Sequence, residues 1–434
     1  MRERLRARFL GNGESLGRKT YLWTVVSGLM FAGSSVIMLW AVTHIVGVDE
    51  GGVFSIAFAV SQQMLSLGWY CMRAFQASDV QNMYAFKDYF ASRVITVGLM
   101  LLAGVGWVVI SGYDWYKAAV TLIFCLYRSC EAFSDVFEGL YQQRGRYDLS
   151  AKGLFFKYFI AVLSFICALY YSHNLILATC ILTVSYLAVI LVYDASLVGV
   201  FEPFELQFRF GHLRRLLIAC LPLCVCLFIS GYVNNAAKYA IDAYMDYKTQ
   251  TYFNILFMPA SVINLFASFL IKPQLSTLAN QFQNGQMKPF FKNMARQMLY
   301  VLVITVGCMT IGYFLGIPVL SWVYGVNLTG YRGTMLILLG SGGVSAMYNV
   351  FYYCITIMRK QYALLIGYGI AFVASIVSMP YFVQHFGING AAWGYFGIIV
   401  MLNLLFAGTM CFFLIKIRKN GGPAKQKPAQ TELP

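Results

Sequence analysis

The sequence predicts an all-α polytopic membrane protein, in which twelve transmembrane helices form two pseudo-symmetric six-helix bundles around a central cavity. The first observation behind this prediction is composition: 59% of the 434 residues are apolar and 11% are charged, whereas a soluble domain contains about 25% charged residues. The second observation is a series of long uncharged runs, and the third is a weak internal repeat. Together they predict a chain that folds in lipid.

The uncharged runs are long enough to cross a bilayer. The runs at 216–233 and 392–415 each contain no charged residue and match the roughly 20 residues that a spanning helix needs. Because hydrocarbon offers no water to backbone polar groups, each such run is expected to be helical. The twelve predicted spans cover residues 20–46, 51–78, 88–111, 116–142, 150–171, 174–199, 214–240, 249–278, 291–315, 331–358, 362–385 and 390–416.

The distribution of basic residues predicts the orientation of these spans. If the N-terminus is cytoplasmic, most of the 32 Lys and Arg residues fall on the inner side, as is usual for inner loops and tails. The outer side holds Lys117, Lys238, Lys248 and Arg332. We therefore expect a multi-pass membrane protein with both termini in the cytoplasm, and we attribute the net charge of +15 to this topology and to attraction for anionic lipids.

The internal repeat divides the chain into halves. The segments 53–58 and 252–257 share a Phe-x-Ile-x-Phe pattern, and the same shift aligns Arg73 with Lys272. Six helices per half make the repeat parallel, about an axis along the membrane normal. The expected regions are a basic cytoplasmic N-terminus at 1–19, an N-terminal lobe at 20–200, an amphipathic cytoplasmic connector at 201–215, a C-terminal lobe at 216–416 and a disordered cytoplasmic tail at 417–434.

Several classes of function are disfavoured. The eleven cysteines all lie in predicted spans and the four histidines lie in separate segments, so no metal-ligand spacing is present. The sequence contains no phosphate-binding loop, nucleophile elbow or paired-histidine motif, and no soluble domain that could present a nucleic-acid groove. We expect no metal, no cofactor, no nucleic-acid partner and no enzymatic activity.

A polar stripe interrupts the predicted span at 116–142. At 100° per residue its members fall on one helix face, and charges at this depth usually face a protein interior or a water-filled cavity. Two interpretations stay open: the stripe is a wet cavity wall, or Arg128 pairs with Glu131 on the same helix while two unpaired acids approach water at the inner face. The stripe comprises Arg128, Glu131, Asp135, Glu138 and Gln142.

Three other features accompany the stripe. Arg73, near the inner end of the span at 51–78, either snorkels to lipid headgroups or points into a cavity as a phosphate ligand. Its counterpart Lys272 is followed by Pro273, which breaks backbone hydrogen bonding. Near the outer surface, Asn235 and Lys238 either reach the interface or form an outer gate. Helix breakers inside the predicted spans, which are expected to interrupt them, are Pro222, Pro259, Pro380 and the sequence GSGG at 340–343.

These residues resemble a known family. The motifs are RAFQASD closing the second span, YFASRVIT opening the third, GLYQQRGRYD after the fourth and the Lys-Pro-x-Leu-Ser turn ending the eighth. With the two parallel halves, they look like the polysaccharide (O-antigen-type oligosaccharide-lipid) flippases of the multidrug, oligosaccharidyl-lipid and polysaccharide exporter superfamily. The resemblance extends over about residues 15–418.

The resemblance implies an alternating-access flippase of a bacterial cytoplasmic (inner) membrane. It would move an isoprenoid-diphosphate-linked oligosaccharide from the inner to the outer leaflet for cell-surface polysaccharide biosynthesis. Its partners would be the lipid-linked substrate, membrane lipids, a polysaccharide polymerase and glycosyltransferases. Arg73 and Lys272 match positions where the family has cavity cations, whereas Arg128 is a third candidate diphosphate ligand on its charge and depth alone.

Two rival functions remain. A cation-coupled multidrug exporter of the same superfamily would use the acidic stripe, although the first predicted span contains no carboxylate. A membrane polymerase or glycosyltransferase could use Asp49 and Glu50 in the first outer loop, although such enzymes generally need much larger outer loops.

Overall fold

A computed structural model describes residues 16–79, 83–202, 206–358 and 360–419, and throughout these ranges the regular secondary structure is helical. The helices of the first half are α1 Leu16–Ile45, α2 Val48–Trp69, α3 Met72–Ser78, α4 Phe86–Ile110, α5 Trp115–Gln143, α6 Tyr147–Ser172, α7 Leu175–Val189 and α8 Ala195–Phe201. Those of the second half are α9 Phe210–Tyr244, α10 Tyr247–Ile271, α11 Leu275–Gln283, α12 Met287–Ile311, α13 Ile317–Tyr324, α14 Arg332–Ile357 and α15 Gln361–Lys419. Short π-helices lie at Ile190–Asp194 and Gly312–Gly316, and short 3₁₀ helices at Lys272–Gln274 and Thr329–Tyr331.

Nine helical stretches within the described ranges are long and apolar enough to cross a membrane. The chain is therefore a multi-pass, all-helical membrane protein. Neither α2 nor α5 is among the nine, and α5 carries the charged stripe. The arrangement as twelve spans in two six-helix bundles stays a prediction.

The chain divides into two compact units. One comprises Met1–Gly231 and Asp246–Thr251, and the other comprises Tyr232–Met245 and Tyr252–Pro434. In the first unit, α5 packs against α2, α3, α4, α6 and α7, which explains why so much of this polar helix is buried. In the second unit, α14 packs against α12 and α15. The lobe boundaries expected from the sequence stay a prediction.

The prediction of one continuous helix over residues 51–78 is wrong. α2 ends at Trp69, and both Tyr70 and Cys71 adopt left-handed backbone conformations, with φ of 51° and 52°. The Tyr70 N–H caps α2 by donating to the carbonyl of Ser66 at 3.1 Å. A left-handed residue cannot continue a right-handed helix, so the chain turns and restarts as α3.

The helix α3 lies closely against α5 at a glycine. Gln76 is buried and donates from Nε2 to the carbonyl of Val136 at 3.3 Å. A Cβ atom added at Gly139 would lie 2.3 Å from Gln76 Oε1, which is far inside contact distance. The absence of a side chain at Gly139 therefore leaves room for the Gln76 side chain in this position.

The expected interruptions by proline and glycine do not occur where the sequence placed them. Pro222, Pro259 and Pro380 lie inside α9, α10 and α15, and the segment 340–343 lies inside α14. Neighbouring groups can satisfy the backbone freed by a proline in a membrane helix. The helix does break at Gly387, where φ is 58° and ψ is −140° inside α15, between the predicted spans 362–385 and 390–416.

Three predicted segments are only partly described. In the connector at 201–215, residues 203–205 lie outside the described ranges, residues 206–209 have no regular secondary structure, and α9 begins at Phe210. Of the predicted termini at 1–19 and 417–434, residues 1–15 and 420–434 lie outside the described ranges, whereas 16–19 belong to α1 and 417–419 to α15.

Candidate functional site

The break between α2 and α3 places Arg73 in a cavity of the first unit. The cavity has a volume of about 390 Å³, within the range of small-molecule sites. Because α3 starts at Met72, Arg73 lies in its first turn and extends across to α5. The cavity is lined by Trp69, Cys71, Met72, Arg73, Ala74, Asp135, Gln142 and Leu227.

Arg73 is held by the polar stripe of α5. Its Nη1 atom lies 3.1 Å from Asp135 Oδ1 and 2.9 Å from Glu138 Oε2. Its Nε atom donates to Gln142 Oε1 at 3.4 Å. The Arg73 side chain is nevertheless 35% exposed, whereas the two carboxylates are 8% and 3% exposed. The guanidinium therefore has one side on buried carboxylates and another open to the cavity.

Asp135 has a second cation. Arg93 Nη2 lies 2.7 Å from Asp135 Oδ2, and the Arg93 side chain is completely buried. Arg93 Nη1 also donates to the carbonyl of Gly68, which accepts a second hydrogen bond from Thr96 Oγ1 at 3.0 Å. Arg93, which α4 carries, is therefore oriented by the Gly68 carbonyl of α2 and by the Asp135 carboxylate of α5.

Glu138 also has a second cation. Lys157 Nζ on α6 lies 3.1 Å from Glu138 Oε1 and 3.2 Å from Asp194 Oδ2, and Lys157 and Asp194 are both completely buried. Lys157 donates to Ser134 Oγ as well, and the Tyr141 hydroxyl lies 3.3 Å from Asp194 Oδ1.

A π-helix places Asp194 in this network. The turn at Ile190–Asp194 follows α7 without interrupting the chain, and π-turns of this kind are frequent at functional sites. We call the set of three cations and three carboxylates the charge network. Its members are Arg73, Arg93, Asp135, Glu138, Lys157 and Asp194.

The charge network explains how the stripe is accommodated in a membrane helix. Each buried carboxylate lies against at least one cation, which compensates for the cost of removing it from water. The expectation that Asp135 and Glu138 are unpaired acids is therefore wrong, because cations on α3, α4 and α6 reach them.

Arg128 and Glu131 form a separate pair. Arg128 Nη1 contacts Glu131 Oε2 on the same helix, and the two side chains are 2% and 5% exposed. The Arg128 guanidinium also lies 4.5 Å from the centroid of the Phe58 ring, in cation–π geometry. This is the internal pairing that the sequence left open. Arg128 is not among the residues that line the cavity described above, and its role as a diphosphate ligand stays a prediction.

The sequence also singled out Lys272, Asn235 and Lys238. α10 ends at Ile271 and Lys272 begins a 3₁₀ turn, as the Lys-Pro sequence predicts; the side chain of Lys272 lies outside the part of the chain described. In the second unit, Lys238 Nζ lies 5.0 Å from the Phe257 ring centroid, and Asn235 lies on the same helix, α9. An outer-gate role for Asn235 and Lys238 stays a prediction.

Sequence reasoning missed three members of the charge network. Asp194 is the only charged residue of its predicted span, whereas Arg93 and Lys157 each share a span with one other charge nearer its start, Asp88 and Lys152. A charge within a span indicates a buried partner. That signal was present, but it does not say which helix carries the partner.

A metal site is not apparent in the described part of the chain. Within residues 16–79, 83–202, 206–358 and 360–419, no three His, Cys, Asp or Glu side chains are grouped closely enough to hold a metal ion. That the protein uses neither a metal nor a cofactor stays a prediction.

Several solved structures share this fold. The inward-facing conformation of a multidrug resistance MATE family transporter of the MOP superfamily has a TM-score of 0.70 and 8% identity, over 93% of this chain and 100% of that one. The lipid II flippase MurJ in its inward closed conformation has a TM-score of 0.65 and 13% identity, over 92% and 93%. A mutant of the Vibrio cholerae MATE transporter VcmN has a TM-score of 0.62 and 12% identity, over 94% and 98%.

These similarities extend over almost the whole of both chains, and at such low identity they define the fold alone. The chain has the fold that MATE transporters and the MurJ flippase share. No model of a known protein family matches the sequence, and no curated protein does.

Proposed function

We propose that the chain is a transporter of the multidrug, oligosaccharidyl-lipid and polysaccharide exporter superfamily, and not an enzyme. Within that class, we propose a flippase for an isoprenoid-diphosphate-linked oligosaccharide in a bacterial inner membrane. The observation that carries this proposal is Arg73, a permanently charged side chain 35% exposed in a cavity whose other charged lining residue, Asp135, is buried.

The cavity suits a diphosphate headgroup. Arg73 presents a planar donor of the kind that binds phosphate oxygens in a bidentate manner. Trp69, Met72 and Leu227 give the rest of the wall an apolar and aromatic character. A volume of about 390 Å³ is sufficient for the headgroup and the first sugar, while the isoprenoid chain stays in lipid.

The membrane potential would favour this direction of transport. A headgroup with about two negative charges that moves outward across 100 mV, inside negative, gains roughly 4 to 5 kcal/mol at about 2.3 kcal/mol per charge. A flippase of this kind needs no separate coupling cation. The lipid II flippase MurJ, which shares the fold, supports a lipid-linked substrate.

A multidrug exporter is the second candidate. It is supported by MATE transporters among the structures with this fold and by the completely buried Asp194, a carboxylate of the type that can bind a coupling cation. In this case Asp135 would attract a cationic drug into the cavity, and Arg73 would be repulsive.

Reconstitution in liposomes tests the two candidates. A fluorescent lipid-linked oligosaccharide and a leaflet-specific quencher measure flipping, and a cationic dye measures drug transport. We expect accelerated flipping, lost in Arg73→Gln and retained in Lys152→Gln, a control on α6 that lies outside the cavity. No acceleration over protein-free vesicles would exclude the flippase, and dye uptake would support the exporter.

Three further predictions belong to the same proposal. Lys272 is a second diphosphate ligand, which Lys272→Gln tests in the same assay. Asn235 and Lys238 form an outer gate, and their substitution by Ala should slow release without weakening headgroup binding. Glycosyltransferases would supply the substrate, and a polysaccharide polymerase would consume it. Both termini of the chain would lie in the cytoplasm.

A further inference from the structure

The two carboxylates that hold Arg73 are each in contact with a second cation. Asp135 contacts Arg93 at 2.7 Å, and Glu138 contacts Lys157 at 3.1 Å. Both of these second cations are completely buried, whereas Arg73 is 35% exposed. Of the three cations in the charge network, Arg73 alone lines the cavity.

This arrangement changes what happens when Arg73 turns towards a ligand. A buried ion pair that loses one partner leaves an uncompensated charge, which is strongly unfavourable. Asp135 and Glu138 would still be in contact with Arg93 and Lys157 after Arg73 had left. The carboxylates orient the guanidinium without fixing it permanently.

The position of the Lys157 ammonium group depends in turn on Asp194. Its ammonium group is shared between Asp194 at 3.2 Å and Glu138 at 3.1 Å, so it can move towards Glu138 without leaving hydrogen-bond range of either carboxylate. Neither Lys157 nor Asp194 lines the cavity, so both can influence a ligand there only through Glu138 and Arg73.

We propose that Arg93 and Lys157 are positioning residues that neutralise Asp135 and Glu138 when Arg73 turns to an anionic ligand. This inference rests on the proposed function, because it requires Arg73 to bind the anionic headgroup. It assigns a role to the three network members that the sequence did not single out. These are the buried cations Arg93 and Lys157, and Asp194, the carboxylate that holds Lys157.

Two charge-balanced double variants test this role, with farnesyl diphosphate as the probe and the purified full chain in detergent micelles. Lys157→Gln with Asp194→Asn leaves Glu138 in contact with Arg73 alone. Arg73 is then retained on the carboxylate, and we expect the affinity for the probe to fall about tenfold by titration calorimetry.

The second double variant has the opposite expected sign. Arg93→Gln with Asp135→Asn removes one of the two carboxylates that hold Arg73, while Glu138 keeps Lys157. We expect the affinity for farnesyl diphosphate to rise about threefold. Both double variants remove one cation and one carboxylate, so a change in the net charge of the network cannot explain a difference between them.

A third substitution distinguishes positioning from general damage. Adding Glu138→Gln to the Lys157→Gln, Asp194→Asn variant removes the carboxylate that retains Arg73, and the affinity should return to within about twofold of the original. Loss of packing would not be reversed by another substitution in the same cluster. Failure of this reversal, or unchanged affinity in the double variant, would overturn the inference.

Controls separate this inference from the proposed function. Arg73→Gln with unchanged affinity would refute headgroup binding by Arg73, whatever the other variants do. Farnesol, which lacks the diphosphate, should not respond to any variant, and inorganic pyrophosphate should respond as farnesyl diphosphate does. If the Lys157→Gln, Asp194→Asn variant fails to fold, the Arg93→Gln, Asp135→Asn variant decides: increased affinity supports the inference, and unchanged or reduced affinity overturns it.

Discussion

Arg128 shows at the scale of one residue that a charge of the polar stripe can be paired within the protein. It lies in the polar stripe with Asp135, but it is 2% exposed, contacts Glu131 and lies over the Phe58 ring. Its contacts are all internal to the first unit. Its charge is therefore satisfied by the protein itself.

The single substitution Arg128→Met should destabilise the fold by about 3 to 5 kcal/mol, because it leaves Glu131 as an uncompensated buried charge. Adding Glu131→Leu should recover most of that loss, since an apolar pair often replaces a buried ion pair without cost. The measurement is the free energy of unfolding in mixed micelles. A double variant no more stable than the single one would show that the pair is not the main contribution of Arg128.

The polar stripe was predictable from the sequence, but its partners were not. Helical periodicity places Arg128, Glu131, Asp135 and Glu138 on one face. The cations that neutralise the last two come from α3, α4 and α6, and periodicity within one helix contains no information about its neighbours. The sequence therefore predicted a buried polar face and left Asp135 and Glu138 incorrectly unpaired.

At the scale of elements, the break at Tyr70 and Cys71 determines where Arg73 lies. A left-handed conformation costs about 1 to 2 kcal/mol for a residue with a Cβ atom, and more for a β-branched one. We expect Cys71→Gly to retain or raise the unfolding temperature, because glycine adopts positive φ readily. Cys71→Val should lower it.

The same pair of variants reports on the site. Cys71→Val should also weaken binding of farnesyl diphosphate, because any straightening of the chain at this point rotates Arg73 out of the cavity. Cys71→Gly should bind the probe as the original chain does. Equal unfolding temperatures for the Gly and Val variants would contradict the assigned backbone conformation.

Helix breaks were the least predictable elements. Pro222 and Pro259 are strong breaker signals, yet both lie inside continuous helices. The break at Tyr70 and Cys71 has neither Pro nor Gly, and it is stabilised by tertiary contacts such as those of buried Gln76. Local propensity is a weak signal when packing against other helices satisfies or restrains the backbone.

At the scale of the whole molecule, the two candidate functions differ in their response to membrane potential. Outward movement of a diphosphate headgroup should be accelerated by a potential that is negative on the side of departure. Outward movement of a cationic drug should be slowed by the same potential. The sign follows from the charge of the substrate and not from the details of the site.

A potassium gradient with valinomycin in the reconstituted liposomes provides this measurement. We expect flipping of the lipid-linked probe to accelerate several-fold when about 100 mV is imposed, since only part of the available 4 to 5 kcal/mol acts on the rate-limiting step. A neutral phospholipid probe in the same vesicles is the control. Slower flipping of the anionic probe would contradict net outward movement of negative charge.

The overall class was the most predictable property of the molecule. Composition and the length of the uncharged runs predicted a helical membrane protein, because hydrocarbon leaves the backbone few alternatives. The sequence pattern of segments 53–58 and 252–257 suggested two related halves. The cavity next to Trp69 could not be predicted in this way, because its position depends on the helix break at two specific residues, Tyr70 and Cys71.

The short helix α3 also has a consequence for how such a protein could change its substrate. Its seven residues, Met72–Ser78, carry the cavity cation but form a separate helix from the long span before them. Substitutions within this segment can therefore alter the charge and shape presented to a ligand while the neighbouring spans keep their sequences. We therefore expect the ligand selectivity of this protein to change when these seven residues are exchanged, provided that Gln76 still fits against Gly139.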